Sequence, residues 1–188
     1  DQDGTCCYRE EPIPPSVVPS MNAGDIALST RGVLVYDATA RGYVVSFKEL
    51  FAPGTRLSGA SAGGKELSSV KFPEAIGPEE PTITAPDFRF FSPSIDRLTG
   101  TTVSWSGTSS DREVEISIAV PGRTVSPTVT CVATDSGKYA FTTKLLTRLA
   151  AGSAVLRVER HHTAMTLGSG GSTVTRATTS WGGAVTLR

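Results

Sequence analysis

Gly59-Ala60-Ser61-Ala62-Gly63 reads G-x-S-x-G, the spacing with which α/β-hydrolases expose a serine nucleophile on a sharp turn between strand and helix. An acid (Asp111 or Asp135) and a base (His161 or His162) follow in an order that suits a catalytic triad. Order alone does not make the chemistry. The elbow needs a helix after the serine and helices covering a parallel sheet, whereas residues 65–75 (KELSSVKFPEA) are short and broken by Pro73. A small-residue turn with no catalytic residue is expected, and a small serine hydrolase is the remote alternative.

His161 and His162 are the only histidines, and neighbours on a strand point to opposite faces, so they do not chelate one metal together. Asp25, Asp37, Asp111 and Asp135 offer oxygen ligands, but none stands in the D-x-[DN]-x-[DN]-G pattern of a calcium loop. They read as solvated turn residues. Residues 168–171 (GSGG) lack the lysine and helix of a phosphate-binding loop and read as a hairpin turn. No metal or cofactor is expected.

The thiols are the remaining chemistry. Cys6 and Cys7 are adjacent on an N-terminal tail that continues into Pro12, Pro14, Pro15 and Pro19, and Cys131 stands alone in a Thr/Val-rich run. The count is odd, so one thiol stays unpaired within the chain or bonds another molecule. A Cys6–Cys7 bridge closes a strained ring. Three other arrangements stay open: a tail cysteine bonded to Cys131 of its own chain, the tail of one subunit crosslinked to its neighbour, or three free thiols, the last least expected in an oxidising compartment.

These residues must be carried by a chain of 188 residues, enough for one large β domain or two small ones. A hydrophobic fraction of 38% suits strands that bury alternate residues. Acidic and basic residues number 18 each, with no basic cluster, which removes the electrostatic footprint of a nucleic-acid binder. No run reaches the roughly 18 apolar residues of a transmembrane helix. The text starts at Asp1 without a basic and apolar leader, as a mature form freed of a signal segment would.

Residues 1–20 read as an extended, Pro-rich, Cys-bearing arm. From Met21 the text is β almost throughout: strands are predicted at 25–29, 33–37, 43–47, 55–58, 68–72, 82–85, 88–91, 101–106, 113–120, 128–134, 139–142, 154–161, 173–179 and 184–187. The clearest alternation sets Val114, Ile116 and Ile118 against Glu113, Glu115 and Ser117. A short helix fits 143–151, capped by Thr142 or Thr143 and stopped by Gly152, with Leu145, Leu146 and Leu149 facing the core. The Pro-rich segment 77–87 is the one candidate boundary, between an N-terminal β region (21–86) and a sandwich-sized region (87–188). Two β domains and one composite sandwich both fit.

Aromatics make up only 7% of the chain, too few for an exposed carbohydrate platform. Trp105 and the run Phe88, Phe90, Phe91 are expected in the core, and Trp181, beside Gly182-Gly183, at the surface.

Two resemblances add to this. Thr101-Thr102-Val103-Ser104-Trp105-Ser106 and Asp135-Ser136-Gly137-Lys138-Tyr139 are similar to the core-Trp strand and D-x-G-x-Y tyrosine corner of immunoglobulin or fibronectin domains. Phe141 stands where an antibody-type domain has its second cysteine, so the likeness implies fold and not immune function. Ala23-Gly24-Asp25-Ile26, Leu50-Phe51-Ala52-Pro53-Gly54 and Cys131…Asp135-x-Gly137 ahead of a Leu-rich helix resemble β-rich secreted proteins and lipoproteins of unknown role in social soil bacteria. That implies an extracytoplasmic β-sandwich.

The reading is an all-β, antiparallel sandwich, immunoglobulin-like or jelly-roll-like, with an extended N-terminal arm. The expected function is non-enzymatic: a secreted or cell-surface structural protein, as a disulfide-linked subunit of a fibre, self-associating through the arm. The alternative is a monomeric surface lipoprotein or adhesion domain that binds an unidentified ligand through its loops. The residues that matter are then Cys6, Cys7 and Cys131 for crosslinking, with Trp105 and Tyr139 structural.

Overall fold

The computed structural model describes residues 4–12, 26–28, 32–34, 36–37, 42–43, 52–63, 68–89, 92–122, 125–168 and 171–188. Among the described residues strand predominates and helix is confined to a single turn, which makes the fold all-β.

The arm's cysteine-bearing half is a strand, β1 (Gly4–Pro12). Short strands follow: β2 (Ile26–Leu28), β3 (Gly32–Leu34), β4 (Tyr36–Asp37) and β5 (Gly42–Tyr43). Then come β6 (Arg56–Ser61), β7 (Val70–Ile76), β8 (Ile83–Ala85), β9 (Ser94–Ile95) and β10 (Thr101–Trp105). The longer strands β11 (Ser109–Ala119) and β12 (Val125–Asp135) precede β13 (Lys138–Phe141), a helix α1 (Thr143–Leu146), β14 (Gly152–Gly168) and β15 (Gly171–Leu187).

The chain folds into two compact units. The first comprises residues 1–13, 80–160 and 179–188; the second comprises 14–79 and 161–178. After Ile13 the chain therefore leaves the first unit and returns to it only at Glu80, within the Pro-rich segment 77–87.

In the first unit a six-stranded sheet, ordered β1-β12-β11-β14-β15-β9, shares a core with a three-stranded sheet, β13-β10-β8. Alternation explains why. Val114, Ile116 and Ile118 of β11 are fully buried, and β12 (Val129, Cys131) and β14 (Leu156, Val158) turn the same parity inward beside them. From the other sheet Val103, Trp105 and Phe141 fill the facing side. Trp105 is a core residue, as expected. Arg97 ties the C-terminal strand down by donating from Nη1 to the Leu149 carbonyl and from its backbone N–H to that of Arg188.

The helix is one turn, shorter than the 143–151 predicted, yet Leu145 and Leu146 within it and Leu149 beyond its end are buried, as expected. Thr142 has the extended backbone of an N-cap but makes no side-chain capping bond. Without one, the first turn lacks the partner that would favour propagation. Gly152 is not the helix stop that was expected: Thr147 is the C-cap, and Gly152, at φ +133°, opens β14.

The second unit holds a four-stranded sheet, β3-β2-β6-β7, and the pair β4-β5. Three expectations are corrected by these elements. Gly59-Ala60-Ser61 is the end of strand β6 and not a turn. Phe88 and Arg89 are not strand, since β8 ends at Ala85 before Pro86; Phe90 and Phe91 lie outside the described residues. The two C-terminal strands predicted at 173–179 and 184–187 are one, β15, running through Trp181-Gly182-Gly183. Residues 44–47 of the predicted strand 43–47, and 13–20 of the arm, also lie outside the described residues.

Candidate functional site

β1 lies antiparallel on β12 as the outermost strand of the six-stranded sheet. The register places Cys6 opposite Cys131, Cys7 opposite Thr130 and Tyr8 opposite Val129. Period-2 geometry sends Cys6 and Tyr8 to one face, and both pack on the core. Cys7 takes the other face. Parity therefore selects Cys6 as the partner of Cys131, and the structure joins them by a disulfide across a Cα–Cα distance of 4.1 Å. The bond spans 125 positions of sequence and closes within one chain. Cys7 is a free, half-buried thiol.

The crosslink is held from both sides. Cys131 is fully buried. The Tyr139 hydroxyl lies 2.8 Å from Cys6 Sγ, and since a disulfide sulfur carries no hydrogen, the hydroxyl donates. Tyr139 is steadied in turn by an edge-on contact with Phe141, ring centroids 5.2 Å apart. Two positions along β1, Tyr8 donates from its hydroxyl to Glu10 Oε1 at 2.9 Å, and the Arg148 guanidinium lies 5.7 Å from the ring centroid. The bond to Glu10, with some desolvation, raises the Tyr8 pKa above the usual phenol value. Tyr8 thus stays neutral and remains a donor at physiological pH.

Beneath this edge the D-x-G-x-Y segment does something the sequence reading missed. Asp135 is not a solvated turn residue; it is fully buried. Its Oδ1 accepts from Trp105 Nε1 at 2.6 Å and its Oδ2 from Arg160 Nε at 2.7 Å. Arg160 is 3% exposed and also donates from Nη2 to the Ser106 carbonyl at 2.7 Å. A buried carboxylate is tolerable because a guanidinium and an indole N–H replace the water it lost. A signal for it was present. Arg160 continues the inward parity of Ala154, Leu156 and Val158, and a charge at such a position needs a buried counter-charge.

Trp181 is also not at the surface. It is half-buried against the core, its ring edge-on to Phe88 at 4.7 Å.

Among the described residues Ser61, His161, His162 and Asp135 each have partners of their own. Ser61 is nearly buried, and its Oγ accepts the Val70 N–H at 3.2 Å, tying β6 to its antiparallel neighbour β7. That is strand to strand and not the strand-to-helix elbow. His162 Nδ1 accepts the Ile76 N–H, and His161 Nδ1 lies 3.2 Å from Arg176 Nη2, so the histidines serve different partners. Asp135 is committed to Trp105 and Arg160. The Asp111 side chain and Asp25 lie outside the described residues, as does the Asp37 side chain. Among the described residues no three His, Cys, Asp or Glu side chains gather as metal ligands.

No protein-family model matches the chain, and neither a curated protein nor a solved structure matches it.

Proposed function

We propose that this chain is a non-enzymatic structural protein of the cell surface or extracellular space, a disulfide-linked subunit of a fibre or appendage. The observation that carries the reading is β1, a Cys-bearing N-terminal strand laid on the outermost place of a sheet and fastened there by a disulfide. Such bonds persist in oxidising compartments, which supports an extracytoplasmic location. No described helix is long and apolar enough to cross a membrane. The polar side chains with reactive chemistry (Ser61, His162, Asp135) are spent on internal hydrogen bonds, which favours a holding role over turnover. An arm that adds a strand to a sheet edge can do so in a neighbour, and a head-to-tail contact that does not close propagates as a filament.

One observation favours a second reading, a monomeric surface lipoprotein or adhesion domain that binds through its loops: the disulfide joins Cys6 and Cys131 of the same chain. Electrophoresis of native protein with and without reductant separates the two. The structural role predicts a ladder that collapses on reduction. A single monomer band in both lanes refutes it and leaves the isolated domain.

A further inference from the structure

The connectivity of the first unit makes β1 a separable part of it. The rest of that unit comes from residues 80–160 and 179–188, and β1 is attached to it through the whole of residues 14–79. Among the described strands β1 pairs with β12 alone, and it occupies the outermost position. Take β1 away, and β12 presents a row of unpaired backbone groups across nine register positions from Ala133 to Val125. The same edge would leave the core side of Cys131 without the cover that Cys6 and Tyr8 provide.

We infer that the edge of β12 is an acceptor site for β1 of a second copy of this chain, closed by a Cys6–Cys131 disulfide between the copies. This rests on the structural role proposed above and names its junction. The occupant is specified by complementarity, since the strand that already fits the edge is the chain's own. It is antiparallel, with Cys6 and Tyr8 as two plugs at i and i+2, Cys6 meeting Cys131 and Tyr139, and Tyr8 lying beside Arg148. Exchange between copies keeps every one of these contacts and changes only the path of the connecting segment. That is why strand swapping is a low-cost route to assembly. Reciprocal exchange gives a closed dimer, and serial exchange gives a chain with one disulfide per junction. Each junction oxidises two thiols to one disulfide, and the two electrons and two protons pass to a disulfide oxidant.

The test uses full-length chains whose cysteines complement one another. One chain carries Cys6→Ser and Cys7→Ser and keeps Cys131; the other carries Cys7→Ser and Cys131→Ser and keeps Cys6. Neither can form a disulfide within itself. The two are refolded together with glutathione disulfide as oxidant, which is reduced to two glutathione per link. A mixed dimer that yields one Cys6–Cys131 peptide is expected. Tyr8→Ala in the chain that keeps Cys6 should lower its yield about tenfold, the scale of removing a half-buried ring from a strand–sheet contact. No mixed dimer, or a yield indifferent to Tyr8, overturns the acceptor site.

Should the substituted chains fail to fold, wild-type chains of light and heavy isotope decide it. Reduced, mixed and reoxidised at rising concentration, they should give Cys6–Cys131 peptides of mixed mass in growing proportion. Only light–light and heavy–heavy peptides overturn the site. The two proposals fail separately: native fibres linked through Cys7 keep the structural role and remove this junction. A native monomer removes the fibre and leaves the mixed dimer standing as a property of the edge.

Discussion

Asp135 and Arg160 form an ion pair with 0% and 3% of their side chains exposed, Nε to Oδ2 at 2.7 Å, and Trp105 donates to the same carboxylate. The pair joins the last residue of β12 to β14 and, through Trp105 and the Ser106 carbonyl, to β10. One carboxylate therefore ties together the two sheets of the first unit.

Breaking this pair from either side should be costly. Asp135→Ala leaves a guanidinium buried without its counter-charge, and a loss of about 3–5 kcal/mol is expected. Replacing both residues by apolar ones of similar volume should cost less than either single change, because no unpaired charge remains. Denaturant unfolding of the two single variants and the double variant measures it. Additive losses would show that the pair is not coupled.

Ser61→Ala tests the serine. It removes the acceptor of the Val70 N–H in a nearly buried place, so a loss of about 1–2 kcal/mol is expected, with no change in any activity. A fluorophosphonate probe should leave Ser61 unlabelled. Covalent labelling there would restore the nucleophile reading at once.

Much of the fold was legible. The strict alternation of Val114, Ile116 and Ile118, and the Val103–Trp105 face, are local patterns, and local patterns place strands and core faces without further information. What local text could not supply was register. Cys6 and Cys7 are equivalent until β1 is set against β12; only then does parity send Cys6 inward. Tyr8, two residues on, was the available hint, since an aromatic marks the buried face. Asp135 looked like a turn residue because Ser136-Gly137 follows it, while its partner Arg160 lies in another strand. Gly182-Gly183 looked like a strand end for a similar reason. A Cβ at Gly183 would lie 2.5 Å from the Phe88 ring, so the glycine makes room for a distant aromatic inside a continuous strand.

Acid titration should single out Asp87. Arg89 donates to both carboxylate oxygens, from Nη2 at 2.7 Å and from Nε at 3.0 and 3.1 Å, and its backbone N–H adds a bond at 2.9 Å. These bonds lower the Asp87 pKa from 3.8 to about 2. The shift is downward in the folded state, so any stabilisation is present above the ordinary carboxylate value and is lost as pH falls toward 2. Carboxyl NMR should place the Asp87 midpoint near 2, and Arg89→Ala should return it toward 3.8. An unchanged midpoint in that variant would exclude Arg89 as the cause.

Cys6→Ser in the full chain separates the two forces that hold the arm. The disulfide constrains 125 positions of sequence and should contribute a few kcal/mol, largely by restricting the unfolded chain. The β1–β12 ladder and the Tyr8 contacts do not depend on it, so the variant should keep its β signal by circular dichroism. Its unfolding midpoint should fall, and by an amount close to that produced by reductant on the wild type. Amide exchange should then distinguish the strands. β1 amides should lose protection because the strand can open on its own, while those of β11 and β12 paired to each other should stay slow. If β11 and β12 lose protection together with β1, the arm is an integral part of the core and not a strand laid on its edge.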